Sequence, residues 1–309
     1  MRRLTPHFLL FCVLLATFLV YRPGLNGPFI FDDSLNILSN QHLRMQDLSL
    51  ASLREAAFSS PAGLFQRPLS MLSFALDFYF HSGDLATYPF KLTNLLIHML
   101  NGLAIFVLTQ MLISFLRKHR QSQLPAAYPD WLALAVSTAW LLHPLNLTSV
   151  LYVVQRMNSL AALFTFLGMC CYLWGRIRVF DGQRGGIAAI LAGFFVFTPL
   201  ALLSKENGAL LPFFLLALEV TLFRFKTAQP LAQRFLIGLF VVCTALPMLA
   251  VVSYIALHPD WLLGGYLRRE FTLSERLMTE ARVVWFYLRL IILPSTALMG
   301  VFHDDISVS

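Results

Sequence analysis

Charged residues are scarce. Asp, Glu, Lys and Arg make up 13% of the 309 residues, about half the roughly 25% of a soluble domain. That is too little to coat a water-facing surface, so an ordinary soluble globule is excluded. Cysteine is sparse as well. Cys12, Cys170, Cys171 and Cys243 each lie in an apolar run with no metal-ligand spacing, which excludes a disulfide scaffold and reads as small buried hydrophobes. There is no internal repeat and no low-complexity tract. No dense basic stripe alternates with aromatics, so the net charge of +7 does not point to nucleic acid.

What is abundant is apolar. Hydrophobic residues reach 58%, and phenylalanine alone contributes 28, which excludes intrinsic disorder. A helix crosses the hydrocarbon core with about 20 apolar residues. Runs of that kind fall at 5–22, 93–116, 131–143, 159–175, 187–203, 208–223 and 235–257. An eighth, 282–299, is interrupted by Arg282 and Arg289. The run at 131–143 is short and is expected to continue toward residue 150. The expected fold is therefore all-α, a polytopic transmembrane bundle of about 7–8 spans. No small-x-small cleavage site follows the first run, so it reads as an uncleaved signal anchor.

Basic residues orient the bundle. Eleven of the 23 Lys and Arg fall on one side of an alternating topology: Arg2, Arg3, Arg117, Lys118, Arg120, Arg176, Arg178, Arg184, Arg224, Lys226 and Arg234. The positive-inside rule places that side, with the N-terminus, in the cytoplasm. Residues 23–92, 143–158, 204–207 and 258–281 then lie outside. Arg268, Arg269 and Arg276 in the last of these keep the bias from being complete. The first outer loop is too long for a simple connector. After Pro68, the spacing of Leu69, Leu72, Leu76 and Tyr79 predicts an amphipathic helix.

Ionisable groups gather at the outer face, where charge at membrane depth is costly unless paired or wet. Asp32 and Asp33 follow the first span. Adjacent carboxylates can deprotonate a hydroxyl or hold a divalent cation such as Mg or Mn; a solvated turn or a helix cap explains them equally. Arg67 can clamp a phosphate with its planar fork, although interfacial snorkelling is the commoner behaviour. His143 ends the third run and Arg156 opens the fourth; they suit an anionic headgroup, and His143 also suits a helix cap. Lys205 and Glu206 join the fifth and sixth runs, as a tight Lys–Glu turn or as groups for a phosphate and a hydroxyl. Glu219 lies near the cytoplasmic end of the sixth run and suits a pair with a neighbouring helix. Asn94, His98 and Asn101, at i, i+4 and i+7, share one helix face and suit interhelical hydrogen bonds.

Five words in order, FIFDD at 29–33, RPLSMLSF at 67–74, YPFKLTNLLIHMLN at 88–101, LLHPLNLTSVLYVVQRMNSLAALF at 141–164 and LLSKENGALLP at 202–212, resemble a family. The chain is similar to the membrane module of GT-C glycosyltransferases that use polyprenyl-phosphate sugars, in the branch of the tetratricopeptide-bearing transmembrane O-mannosyltransferases, with protein O-mannosyltransferases as more distant cousins. The resemblance implies one module over 1–309, with the outer loop 23–92 covering a site in the periplasm of a bacterial inner membrane. It implies transfer of a sugar from the lipid carrier to a protein or envelope-glycan hydroxyl. Asp32 or Asp33 would be the base or metal ligand, and Arg67, His143, Arg156, Lys205 and Glu206 would serve the phosphate or sugar. Phe90 stands where many relatives carry His. Relatives continue with further spans and repeats, so either a shortened gene product or a fragment is expected. Two rival expectations are a lipid-carrier flippase or transporter and a non-catalytic subunit derived from such an enzyme.

Overall fold

A computed structural model describes residues 4–60, 62–81, 86–119, 125–295 and 298–299. Arg2, Arg3, Asp84, Arg120 and the His303-Asp304-Asp305 terminus lie outside the described residues. The protein is an all-α polytopic bundle, with no strand among the described residues. Six helices are long and apolar enough to cross a membrane: α1 (Leu4–Tyr21, whose apolar stretch continues to Gly24), α4 (Thr87–His119), α7 (Arg156–Phe180), α8 (Gly186–Ser204), α9 (Glu206–Phe223) and α10 (Pro230–Leu257). Two short helices, α2 (Leu50–Ala57) and α3 (Pro68–Phe80), lie in the first loop. A bent pair, α5 (Tyr128–Leu141) and α6 (Leu147–Leu151), makes a seventh span if counted as one.

That pair corrects the expectation of one helix running on to residue 150. The chain breaks at Leu142-His143-Pro144 and turns by 53°. Proline disfavours α geometry in the residue before it. The eighth run, which the sequence leaves open as a span, is now placed. It belongs to a helix, α12 (Leu273–Ile292), whose Glu275, Arg276, Glu280, Arg282 and Arg289 keep it off the set of apolar spans.

The chain divides into two compact units. The first holds residues up to Leu142 and Asn146–Ile237. In it, α4 packs on α5 and α7, and α7 packs on α8. At 33 residues, α4 is about 50 Å long and outreaches a hydrocarbon core of about 30 Å. Its first turns and its last, with Arg117, Lys118 and His119, therefore stand in the two interfaces. The α7–α8 contact needs small residues: a Cβ at Gly186 would meet Gly175 O, so the backbones touch there. Within α8 a wide turn at Gly193–Phe197 precedes Pro199. It relieves the clash of the proline ring with the carbonyl four residues back. At the far end of α7, Arg176 and Glu219 form a buried pair at 2.6 Å, joined by the Tyr172 hydroxyl at 2.5 Å, as expected of a carboxylate near the cytoplasmic end of α9.

The first loop has its own core. Ile37, Leu43, Ala56, Met71, Phe74, Ala75 and Phe78 are buried with Phe90, Val153 and Met157. The predicted helix after Pro68 is present, with Pro68 in its first turn. Its buried face is Met71, Phe74, Ala75 and Phe78, while Leu69, Leu72, Leu76 and Tyr79 are half-buried. Two overlapping stripes at helical spacing cannot be ranked by periodicity.

The second unit comprises His143–Leu145 and residues from Gly238 onward. It includes the end of α10, a short α11 (Pro259–Leu263) and α12. A capping box starts α12: Thr272 and Glu275 satisfy each other's backbone N–H groups.

Candidate functional site

The site begins where the chain leaves α1. A turn over Arg22–Gly24 leads to a segment held at Gly27 and Pro28, whose carbonyls accept from Lys91 Nζ at 2.8 and 3.0 Å. Phe31 then takes a left-handed conformation (φ +45°), uncommon for a bulky residue. This turn points the next two carboxylates apart. Asp33 goes inward and is fully buried. Its Oδ1 accepts from Val154 N at 2.7 Å and its Oδ2 from Ile30 N at 3.0 Å. Burial pushes its carboxyl above the usual range, against the pull of those N–H groups and of Lys91. Asp33 therefore bolts the loop to the start of α7. It does not cap the turn that follows it.

Asp32 goes outward and is exposed. Its N–H donates to the Tyr152 hydroxyl at 3.1 Å, and the same hydroxyl lies against the Asp32 carboxylate. Burial, then the charges of Asp32 and Asp33, raise the Tyr152 phenol. It stays protonated and orients the carboxylate. Asp32 also lies within electrostatic reach of Lys205.

Lys205 sits in the break between α8 and α9, extended at φ −160°. An extended residue sends its side chain and its neighbour's to opposite sides. Glu206 accordingly does not pair with Lys205 as expected of a tight turn. It meets Arg67: Nε lies 3.1 Å from both carboxylate oxygens, and Nη2 lies 3.0 Å from Oε2. Among the described residues Arg67 Nη1 reaches only Met157 Sδ, at 3.3 Å, a weak acceptor that a phosphate oxygen can displace. Burial and the Arg67 charge push the Lys205 ammonium below the usual lysine range, while Glu206 and Asp32 hold it up. Gln66 and Arg67 are both left-handed (φ +56° and +48°). The turn wraps Gly63 (φ +86°) over the Arg67–Glu206 pair, where a Cβ would clash with Glu206 Oε1.

The remaining expected residues are taken up by other partners. Arg156 is fully buried, and all its donors are engaged. Nε donates to Asn94 Oδ1 at 2.7 Å, Nη1 to Ser73 O at 2.9 Å and Ser73 Oγ at 3.4 Å, and Nη2 to Phe90 O at 2.8 Å; Nη2 also stands 2.5 Å from Asp77 Oδ2. It ties α3, α4 and α7 together and has no donor left for a headgroup. His143 belongs to the second unit, where its Nε2 meets Ile291 O at 3.0 Å and its Nδ1 accepts from Leu145 N. The polar face of α4 makes interhelical bonds: Asn94 to Val150 O, His98 to Leu141 O and Asn101 to Ser159 O.

The structure thus gathers Asp32, Lys205, Arg67 and Glu206 and adds Tyr152. No spacing in the sequence links Tyr152 to Asp32; the closest signal was its place on the segment before Arg156. Both Asp33 oxygens hold backbone N–H groups, and no group of three His, Cys, Asp or Glu among the described residues is placed to hold a metal.

Among curated proteins the chain is similar to the protein O-mannosyl-transferase TMTC4 of mouse, 27% identical over 214 residues, or 66% of this chain and 28% of that protein. It is similar also to the human TMTC4, 28% identical over 198 residues, 59% of this chain and 25% of that protein. The chain thus spans about a quarter of the length of these relatives. No protein-family model matches it, and no solved structure does.

Proposed function

We propose that the protein is a membrane glycosyltransferase that moves a sugar from a polyprenyl-phosphate carrier to an acceptor hydroxyl on a protein or envelope glycan, at the outer face of a bacterial inner membrane. One observation carries this reading. An exposed carboxylate, Asp32, is steered by a tyrosine and stands within reach of a partly buried lysine, Lys205. The two come from chain segments far apart in sequence. The likeness to the TMTC4 O-mannosyl-transferases supports the reaction class.

Asp32 takes the proton of the acceptor hydroxyl. The acceptor oxygen then bonds to the anomeric carbon as the bond from that carbon to the phosphate oxygen breaks. The carrier leaves as a phosphate, held by Lys205 and by Arg67, which Glu206 orients. The leaving group is a phosphate already, so a base and preorganised cations suffice, and no step needs a metal. Asp33 acts as a positioning residue, and Arg156 as a structural one. The rival of a lipid-carrier transporter needs polar groups lining a passage at mid-membrane; here Asn94, His98 and Asn101 are taken up by backbone carbonyls.

Mass spectrometry of envelope glycoconjugates and exported proteins, with and without the gene, tests the reading. Loss of one hexose or pentose modification supports it. An unchanged profile under conditions of full expression refutes it.

A further inference from the structure

At the other end of the first unit lies a cavity that plays no part in the proposed chemistry. It has a volume of about 360 Å³ and lies between the last turns of α4 and α7. One wall is apolar, from Met111, Phe115, Ile177 and Trp174; the rim is polar and basic, from Ser114, Lys118, His119 and Arg178. Asp181, the single carboxylate in the lining, is paired through Oδ2 with Lys118 Nζ at 2.6 Å, and its Oδ1 lies 3.4 Å from His119 Nε2. Arg178 has no carboxylate partner among the described residues. Its Nε donates to Arg184 O at 3.0 Å, and its guanidinium lies 4.9 Å over the Trp174 ring. That leaves both terminal nitrogens for a ligand. Gln183 lines this cavity and also the adjoining one of about 270 Å³, to which Arg184 belongs.

We infer that this cavity holds the phosphate of an anionic membrane phospholipid, between Lys118 and Arg178, with the acyl chains leaving along Met111, Ile177 and Trp174. The chemistry is phosphate recognition by a planar fork and an ammonium. The lipid source follows from position. The cavity sits at the ends of two membrane-crossing helices, its wall is apolar, and Trp174 is half exposed beside it, as aromatic residues are at a membrane interface. Basic pockets between spans suit such headgroups. The inference does not depend on the glycosyltransferase reading.

Native mass spectrometry of the detergent-solubilised full chain, given equal phosphatidylglycerol and phosphatidylcholine, tests it. Phosphatidylglycerol should be retained at least tenfold over phosphatidylcholine. Arg178→Gln and, independently, Ser114→Glu should remove that preference at least tenfold. Arg54→Gln, on the first loop, should leave it intact. Circular dichroism keeps loss of fold apart from loss of binding, and Ser114→Glu spares the Lys118–Asp181 pair. Equal retention of the two lipids, or a preference that survives both variants, overturns the site. Inorganic phosphate that binds alone and displaces phosphatidylglycerol at equal concentration overturns the lipid assignment.

Discussion

Asp32 and Asp33 are neighbours with opposite fates, and the left-handed turn at Phe31 separates them. The dipeptide offers two equal candidates; only the turn distinguishes a solvent-facing carboxylate from a buried one. Asp33→Asn tests the distinction. An amide has one acceptor oxygen, so either Ile30 or Val154 loses its partner. That should cost about 1–3 kcal/mol of stability, seen as a lower thermal midpoint, with reduced transfer following from the displaced loop. Lys205 offers a test in pH. Its ammonium is pushed below the usual lysine range, and in the proposed mechanism its charged form is the one that holds phosphate. Donor binding should therefore weaken as pH rises through that lowered value. Glu206 holds the ammonium up, so Glu206→Gln should move the alkaline limb of KM to still lower pH. A limb that stays in place, or moves up, would show that Lys205 does not set it. Tyr152 was illegible at this scale, because its partner is 120 residues away.

Among elements, the first loop is folded on a core of its own, and Arg156 is its keystone. The sequence reading made Arg156 a headgroup ligand because it opens a span. The structure gives it Asp77 and Ser73 of α3 and Asn94 and Phe90 of α4. Asp77→Ala should leave a buried, uncompensated guanidinium, at a cost of about 3–5 kcal/mol. Proteolysis between α2 and α3 should become faster, while the spans stay helical by circular dichroism. Unchanged protease resistance would contradict the keystone role. The polar face of α4 was legible, since i, i+4 and i+7 fix a common side and buried amides need partners. The buried stripe of α3 was not, because adjacent stripes there are similarly apolar. The break before Pro144 was signalled by the proline, but the short apolar run drew the expectation across it.

For the molecule as a whole, apolar run length sufficed to read the bundle, because lipid demands about 20 apolar residues and internal backbone bonding of every span. It left 282–299 open, and there charges every few residues keep α12 off that class. Basic residues on alternate connections set the expected orientation. Leu64 is 81% exposed on the first loop, so Leu64→Cys should react with an impermeant maleimide added to intact spheroplasts. Labelling only after permeabilisation would reverse the orientation.

The proposed base is Asp32, facing a phosphate held by Lys205. Sugar transfer by the purified, reconstituted full chain from a polyprenyl-phosphate sugar to an acceptor, compared between wild type and Asp32→Asn at matched folding, tests it. Asp32→Asn should lose about 10²–10⁴-fold in kcat, with thermal stability unchanged because Asp32 is exposed and its backbone N–H bond to Tyr152 is kept. Transfer by Asp32→Asn at the wild-type rate would contradict it.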